Sequence, residues 1–304
     1  MKFTSAWTTS SGSKLWSMLS HLGTLVSILT PIVTIGAIIL TGNADIPATI
    51  LAVYVCLLVT VLLLLLLRVE GRYRREARYA PAMIPARKAF ASLAGASWIM
   101  IEGDGSEGSF LLHLRESLRL IAETFSLITD APCRASVKII TAGSTDIASH
   151  DIQVVTVGRS VDLEDAKPAD RDRIGNNTDF RQIFTGNAPY FFSNDLVAQL
   201  AKGYQNSHWD ERTIEERKFD YVATIVWPIG RSKSANSHGN AHREIVGFLC
   251  VDTLAVGVFN ETYDVPLGAA FAQALDLAIQ RFRIRQAADG SVPLQRKGLE
   301  DVRG

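Results

Sequence analysis

Few residues in this chain have the types and spacing that chemistry needs. His238 and His242 stand four apart, a spacing that on a helix would aim both imidazoles at one metal ion. They lie in SANSHGNAHRE, a polar run that reads as a solvated loop, and no third ligand accompanies them, so no metal is expected. Cys56, Cys133 and Cys250 form no CxxC pair, which points to neither a zinc site nor a disulfide framework but to buried, reduced thiols. There is no GxSxG, no P-loop, no HExxH and no kinase, cyclase or phosphodiesterase signature. No catalytic residue and no cofactor is therefore named, and the expectation is a non-enzyme. One stretch does carry a useful mixture. Between Asn177 and Tyr190, the polar Asn177, Asp179 and Arg181 interleave with Phe180, Phe184 and Tyr190, groups that could orient a small ring ligand and exclude water. Trp227 and Asp252, on strand-like runs elsewhere, are weaker candidates for the same task. The competing reading is structural: Phe184 and Tyr190 pack a core, and Asp179 opens a short helix as a cap.

The elements that must position these residues begin with two apolar runs. Leu22 to Leu40 and the window Ile46 to Leu67 carry no charged residue, and each is long enough to cross a bilayer core of about 30 Å as a helix. A hairpin of two transmembrane helices, about 22–40 and 48–67, is expected after an N-terminal segment 1–21. The turn between them contains Asp45 and no Lys or Arg. Arg68, Arg72, Arg74, Arg75, Arg78, Arg87 and Lys88 follow the second run. By the positive-inside bias both termini lie in the cytoplasm, in a two-pass protein of the inner or plasma membrane whose basic flank grips anionic headgroups, with Tyr73 and Tyr79 at the interface. The balance of 31 Lys+Arg against 31 Asp+Glu says nothing about partners, and no nucleic-acid partner is expected. Pro81, Pro85 and the cluster GDGSEGS mark 68–108 as a basic juxtamembrane segment and linker, with a short helix around 86–94.

A second domain is expected over 109–287, ahead of a polar tail at 288–304. Leu111, Leu114, Leu118, Ile121, Phe125 and Ile128 recur at spacings of three and four, the seam of an amphipathic helix. Strand-like runs follow at 135–142, 151–159, 221–229 and 244–253, the last two joined by a polar hairpin loop, and a closing helix runs from about Leu267 to Arg285. The fold class is α+β: one antiparallel sheet with its helices on one face. The sequons at Asn176 and Asn260 carry no weight in a cytoplasmic domain.

The order of these elements resembles the GAF domain family over roughly 109–287. GFLCVDTLAVGVFNETYDVPLGAAFAQALDLAIQRF is similar to that family's last strand, Phe-containing loop and closing helix. DFRQIFTGNAPYFFSNDL is similar to its middle segment, and YVATIVWPI to the strand before the hairpin. The resemblance implies a regulatory module that binds a small ligand, a nucleotide among the possibilities, or that only dimerises. It places 177–190 over the ligand cavity and implies a homo-oligomer through the first and last helices. Two departures narrow it: Lys218-Phe219-Asp220 continues as Tyr-Val-Ala, off the cyclic-nucleotide pattern, and the Cys-His pair of bilin attachment is missing. The polar stretch 201–220 is an insertion-like departure, a lid or a loop. Two functions stand open. One is a membrane-anchored sensor that signals through a partner. The other is a membrane effector in which ligand binding rearranges the two transmembrane helices, since no output module follows residue 287.

Overall fold

In a computed structural model the described residues are 45–102, 106–140, 152–160, 171–207, 209, 211–216, 218–232 and 243–288. The first expected membrane span, the loop bearing His238 and His242, and the tail from 289 lie outside them. The chain divides into two compact units, 1–74 and 75–304. In the first, helix α1 (Asp45–Glu102) begins, and from Val53 it contains a stretch of mean hydropathy 2.4, none of it buried. Among the described residues this is the one helix long and apolar enough to cross a membrane. Length and composition alone support that statement.

The prolines do not interrupt α1: Pro81 and Pro85 both lie inside it. A proline in a helix interior removes one backbone hydrogen bond and crowds the carbonyl four residues earlier, a cost of about 3 kcal/mol or more. Tertiary packing outweighs that penalty. Ala82, Ala86, Ala89, Leu93, Ala96 and Met100 recur at three- and four-residue steps and are all buried, the small residues allowing close helix approach. Ser92 Oγ donates to the His113 carbonyl at 3.1 Å, and Phe90 stacks on Phe271 at 4.5 Å. The supposed linker is thus part of the core of the second unit. Tyr79 is likewise docked on that unit rather than free for a lipid interface: its hydroxyl donates to Asp264 Oδ1 at 2.6 Å.

The rest of the second unit follows in the order α2 (Glu107–Thr129), β1 (Cys133–Ile140), β2 (Gln153–Arg159), β3 (Arg171–Arg173), a 3-10 turn (Ile174–Asn176), α3 (Thr178–Phe184), β4 (Phe191–Ser193), α4 (Leu196–Leu200), α5 (Glu211–Glu216), β5 (Ala223–Ser232), β6 (Arg243–Thr253) and α6 (Glu261–Ala288). The six strands form one antiparallel sheet in the order β3-β2-β1-β6-β5-β4. The α+β class holds. Each strand that alternates sends its side chains to two different environments. Cys133, Ala135, Val137 and Ile139 of β1, with Ala223, Ile225, Trp227 and Ile229 of β5, enter an apolar core under α1, α2 and α6. Phe248 and Cys250 of β6 and Val226 of β5 face the other way, into a second core with Phe180, Ile183, Leu196, Tyr204 and Trp209. Helices therefore cover both faces, not one, because Phe180 of α3 and Leu196 of α4, with Tyr204 and Trp209, bring enough apolar and aromatic surface to close the second side.

The seam of α2 is occupied within the chain. Leu114, Leu118, Ile121, Phe125 and Ile128 are all buried there, with Leu111 packed at the margin. Phe271, Leu275, Ile279 and Phe282 do the same for α6.

Candidate functional site

The second face of the sheet is where polar and aromatic groups meet. Strand pairing sets its rows: Arg134, Asp252 and Thr224 stand opposite one another across β1, β6 and β5, with Ser136, Cys250 and Val226 in the next row and Lys138 beside Phe248 beyond that. Lys138 reaches from β1 to pair with Asp172 of β3, whose side chain is almost wholly buried. Asp172 Oδ1 also accepts the Ser207 hydroxyl at 2.7 Å. Above this row sits α3. Asn177, at its N-cap position, donates from Nδ2 to the Arg173 carbonyl at 2.8 Å and accepts the Ser207 N–H at 3.1 Å. Asp179 Oδ1 accepts the Phe180 N–H at 2.8 Å. Phe180 stacks on Phe248 at 4.7 Å, with the Lys138 ammonium 5.4 Å from its ring centre.

An aromatic wall closes the side. Trp209 packs on Tyr204, Phe219 and Tyr221, and the Asn206 amide donates to the phenol oxygens of Tyr221 at 2.5 Å and Tyr204 at 3.3 Å. The Arg134 guanidinium lies over the Tyr221 ring and donates to the Asp220 carbonyl at 2.6 Å.

Burial governs the proton affinities here, because a charge loses its hydration. It pushes the Asp179 carboxyl up to about 7; the Phe180 N–H and Lys138 pull it back, and Asp172 and Asp252 push it further. Asp252 is raised by burial too, against the Thr224 hydroxyl at 2.6 Å and the positive charges of Arg134, Lys138 and Arg159. Burial works against the Lys138 charge, but Asp172 outweighs it and holds the ammonium above its usual range. Both described thiols are protonated: burial raises Cys133 to about 11 and Cys250 well above its ordinary value. Neither is set up as a nucleophile, which requires the thiolate.

Of the residues the sequence singles out, Asn177, Asp179 and Asp252 come together on this face, and Phe184 packs at its edge. Arg181 turns aside, donating to the Gly175 carbonyl at 3.2 Å and to Gln205 Oε1 at 3.4 Å, so it ties neighbouring turns together. Tyr190 and Trp227 belong to the opposite face. Tyr190 packs against the apolar core and donates to Glu261 Oε1 at 2.8 Å. Trp227 is sealed beneath α6, its Nε1 donating to the Val265 carbonyl at 2.9 Å. Strand alternation explains the miss, since Trp227 falls on the same side as Ile225 and Ile229. Sequence reasoning overlooked Lys138, Asp172, Tyr204, Asn206, Trp209 and Tyr221. Lys138 had a signal: it alternates with the buried Val137 and Ile139. So did 201–220, whose aromatics are out of keeping with a solvated loop.

No family model and no curated relative matches the sequence. Among solved structures the chain is similar to the GAF domain of a phosphoenolpyruvate-protein phosphotransferase from Coxiella burnetii, at 16% identity and TM-score 0.40, covering 66% of this chain and 98% of that one. A GAF sensor protein from Burkholderia vietnamiensis matches at 15% identity and TM-score 0.38, covering 65% and 98%. A type II free methionine-R-sulfoxide reductase from Thermoplasma acidophilum matches at 10% identity and TM-score 0.35, covering 57% and 96%. Scores of this size assign neither a ligand nor an activity to this chain.

Proposed function

We propose that the protein is a membrane-anchored regulatory protein whose sheet domain senses a small ligand on the polar face built around Asp179, with the signal passed to a partner. The buried charged cluster carries this reading. A lysine–aspartate pair and the buried Asp179, with the part-buried Asp252 on the same face, cost more to bury than apolar side chains of similar volume. Titratable groups displaced this far from their usual range concentrate at binding and catalytic sites. Anchoring is supported by the apolar stretch of α1 and the arginines that follow it. Self-association through α2 and α6 belongs to the same proposal. Since their seams are filled, it would use outward residues such as Leu112, Leu277 and Ile284, all exposed.

The test is a metabolite screen by thermal shift on the full chain in lipid nanodiscs, run on wild type, Asp179→Asn and Arg181→Ala. Sensing predicts a compound that stabilises wild type and loses its effect in Asp179→Asn. A chain that no compound stabilises would be a dimerisation module instead. Alkaline extraction of membranes checks the anchor: protein released to the supernatant overturns it.

A further inference from the structure

Asp179 is 4% exposed, and among the described residues its side chain makes one hydrogen bond, which Oδ1 accepts from the Phe180 N–H. Oδ2 has no donor among the described residues. Oδ2 is not among the wholly buried atoms that lack a partner, so it keeps a small opening by which a donor from outside the chain can reach it. The neighbouring groups do not supply the missing donor. Lys138 on β1 is committed to Asp172 on β3, and Asp252 on β6 holds the Thr224 hydroxyl. Cys250, Tyr204 and Tyr221, which feel the Asp179 charge, are kept neutral by burial. Three carboxylates thus face one ammonium, with Arg134 and Arg159 acting on Asp252. Among the described residues no three of His, Cys, Asp and Glu are arranged to hold a metal ion. The stacked Phe180 and Phe248 rings make the surroundings aromatic.

We propose that this face takes a small organic cation, an ammonium or amidinium group, whose N–H donates to Asp179 Oδ2. The inference rests on reading this face as a ligand site and names the ligand's chemistry. A charge-assisted hydrogen bond needs the carboxylate. Because the Asp179 carboxyl titrates near 7, the cation must displace its proton at lower pH. Affinity then rises about tenfold per pH unit up to that point and levels off above it.

Acetamidinium, acetamide and acetate share one shape and carry three different charges. With the full chain in nanodiscs, only acetamidinium should raise the melting temperature, and more at pH 8 than at pH 6. Asp179→Asn should abolish the response, and Glu116→Gln, which alters a half-exposed carboxylate of α2, should retain it. Infrared spectroscopy gives a reading independent of any variant: the protonated-carboxyl band of wild type at pH 6 should disappear when acetamidinium binds. An equal response to acetamide or acetate, a response that survives Asp179→Asn, or a band that persists would overturn the proposal. A neutral or anionic metabolite that stabilises the chain irrespective of Asp179 overturns this ligand class and leaves the sensing function standing. A chain indifferent to every compound overturns both.

Discussion

The two faces of the sheet are built on opposite terms. Under α1, α2 and α6 lies a continuous apolar core in which Phe110, Phe125, Phe271 and Phe282 are fully buried and aromatic pairs such as Phe110–Phe282 stack at 4.2 Å. Under α3 the core is smaller, and charged groups are set among its aromatics. Apolar area removed from water stabilises at roughly 25 cal/mol per Å², so the first face holds the domain together. The second gives up part of that gain by burying carboxylates. One sheet thus separates an apolar, stabilising face from a charged and aromatic one by the two-residue period of its strands.

The largest expected effect is on the apolar face. Trp227→Ala removes a ring packed against Phe125 and the backbone of α6, where a Cβ on Gly268 would come within 2.0 Å of the indole. A loss of about 3–5 kcal/mol is expected in denaturant unfolding. An effect below about 1 kcal/mol would mean that this face is not the stabilising one. On the polar face, Lys138→Met should cost a similar amount, about 3–5 kcal/mol, because Asp172 is left buried without its cation. Pairing it with Asp172→Leu should restore or exceed wild-type stability. A double variant as weak as the single one would show that the pair serves stability after all.

Asp179→Asn sharpens the contrast through pH. A carboxyl raised from 3.8 to about 7 keeps its proton in the folded state after the unfolded chain has lost its own, so wild-type stability falls as pH rises between those values. The variant has no such penalty. It should match wild type near pH 4 and exceed it above about pH 7, by on the order of 2–4 kcal/mol. A parallel pH dependence in both proteins would remove Asp179 from the cluster. The smallest effect belongs to neither face. Arg119, half-exposed on α2 with Glu116 and Glu123, should cost at most about 0.5 kcal/mol as Arg119→Ala.

Local pattern made much of the fold legible. The seam of α2, the alternation of β1 and the apolar residues of α6 each lie within one element, so a single stretch of sequence states both the element and its buried side. The prolines of α1 misled because propensity is a local cost, whereas the packing of Ala82 to Met100 against α2 and α6 is not local. Only part of the site was legible. Asn177 and Asp179 share a segment, and Asp252 could be suspected from its strand. Trp227 and Tyr190 were drawn in by residue type, although one lies sealed on the apolar side and the other packs at its margin.

By itself the sequence determined the apolar stretches and basic flank, the elements that close a helix-and-sheet domain, and a polar–aromatic segment worth testing. All of these depend on periodicity or composition within a few turns or one strand. The tertiary structure decided that Lys138 meets Asp172 across the order β3-β2-β1, that Tyr204 and Trp209 close the second face, and that Asp179 lies too deep to ionise freely at neutral pH. The physical reason is that pairing across 34 residues and the loss of hydration on burial are properties of the assembled sheet, and neither has a counterpart in the neighbouring letters of the chain.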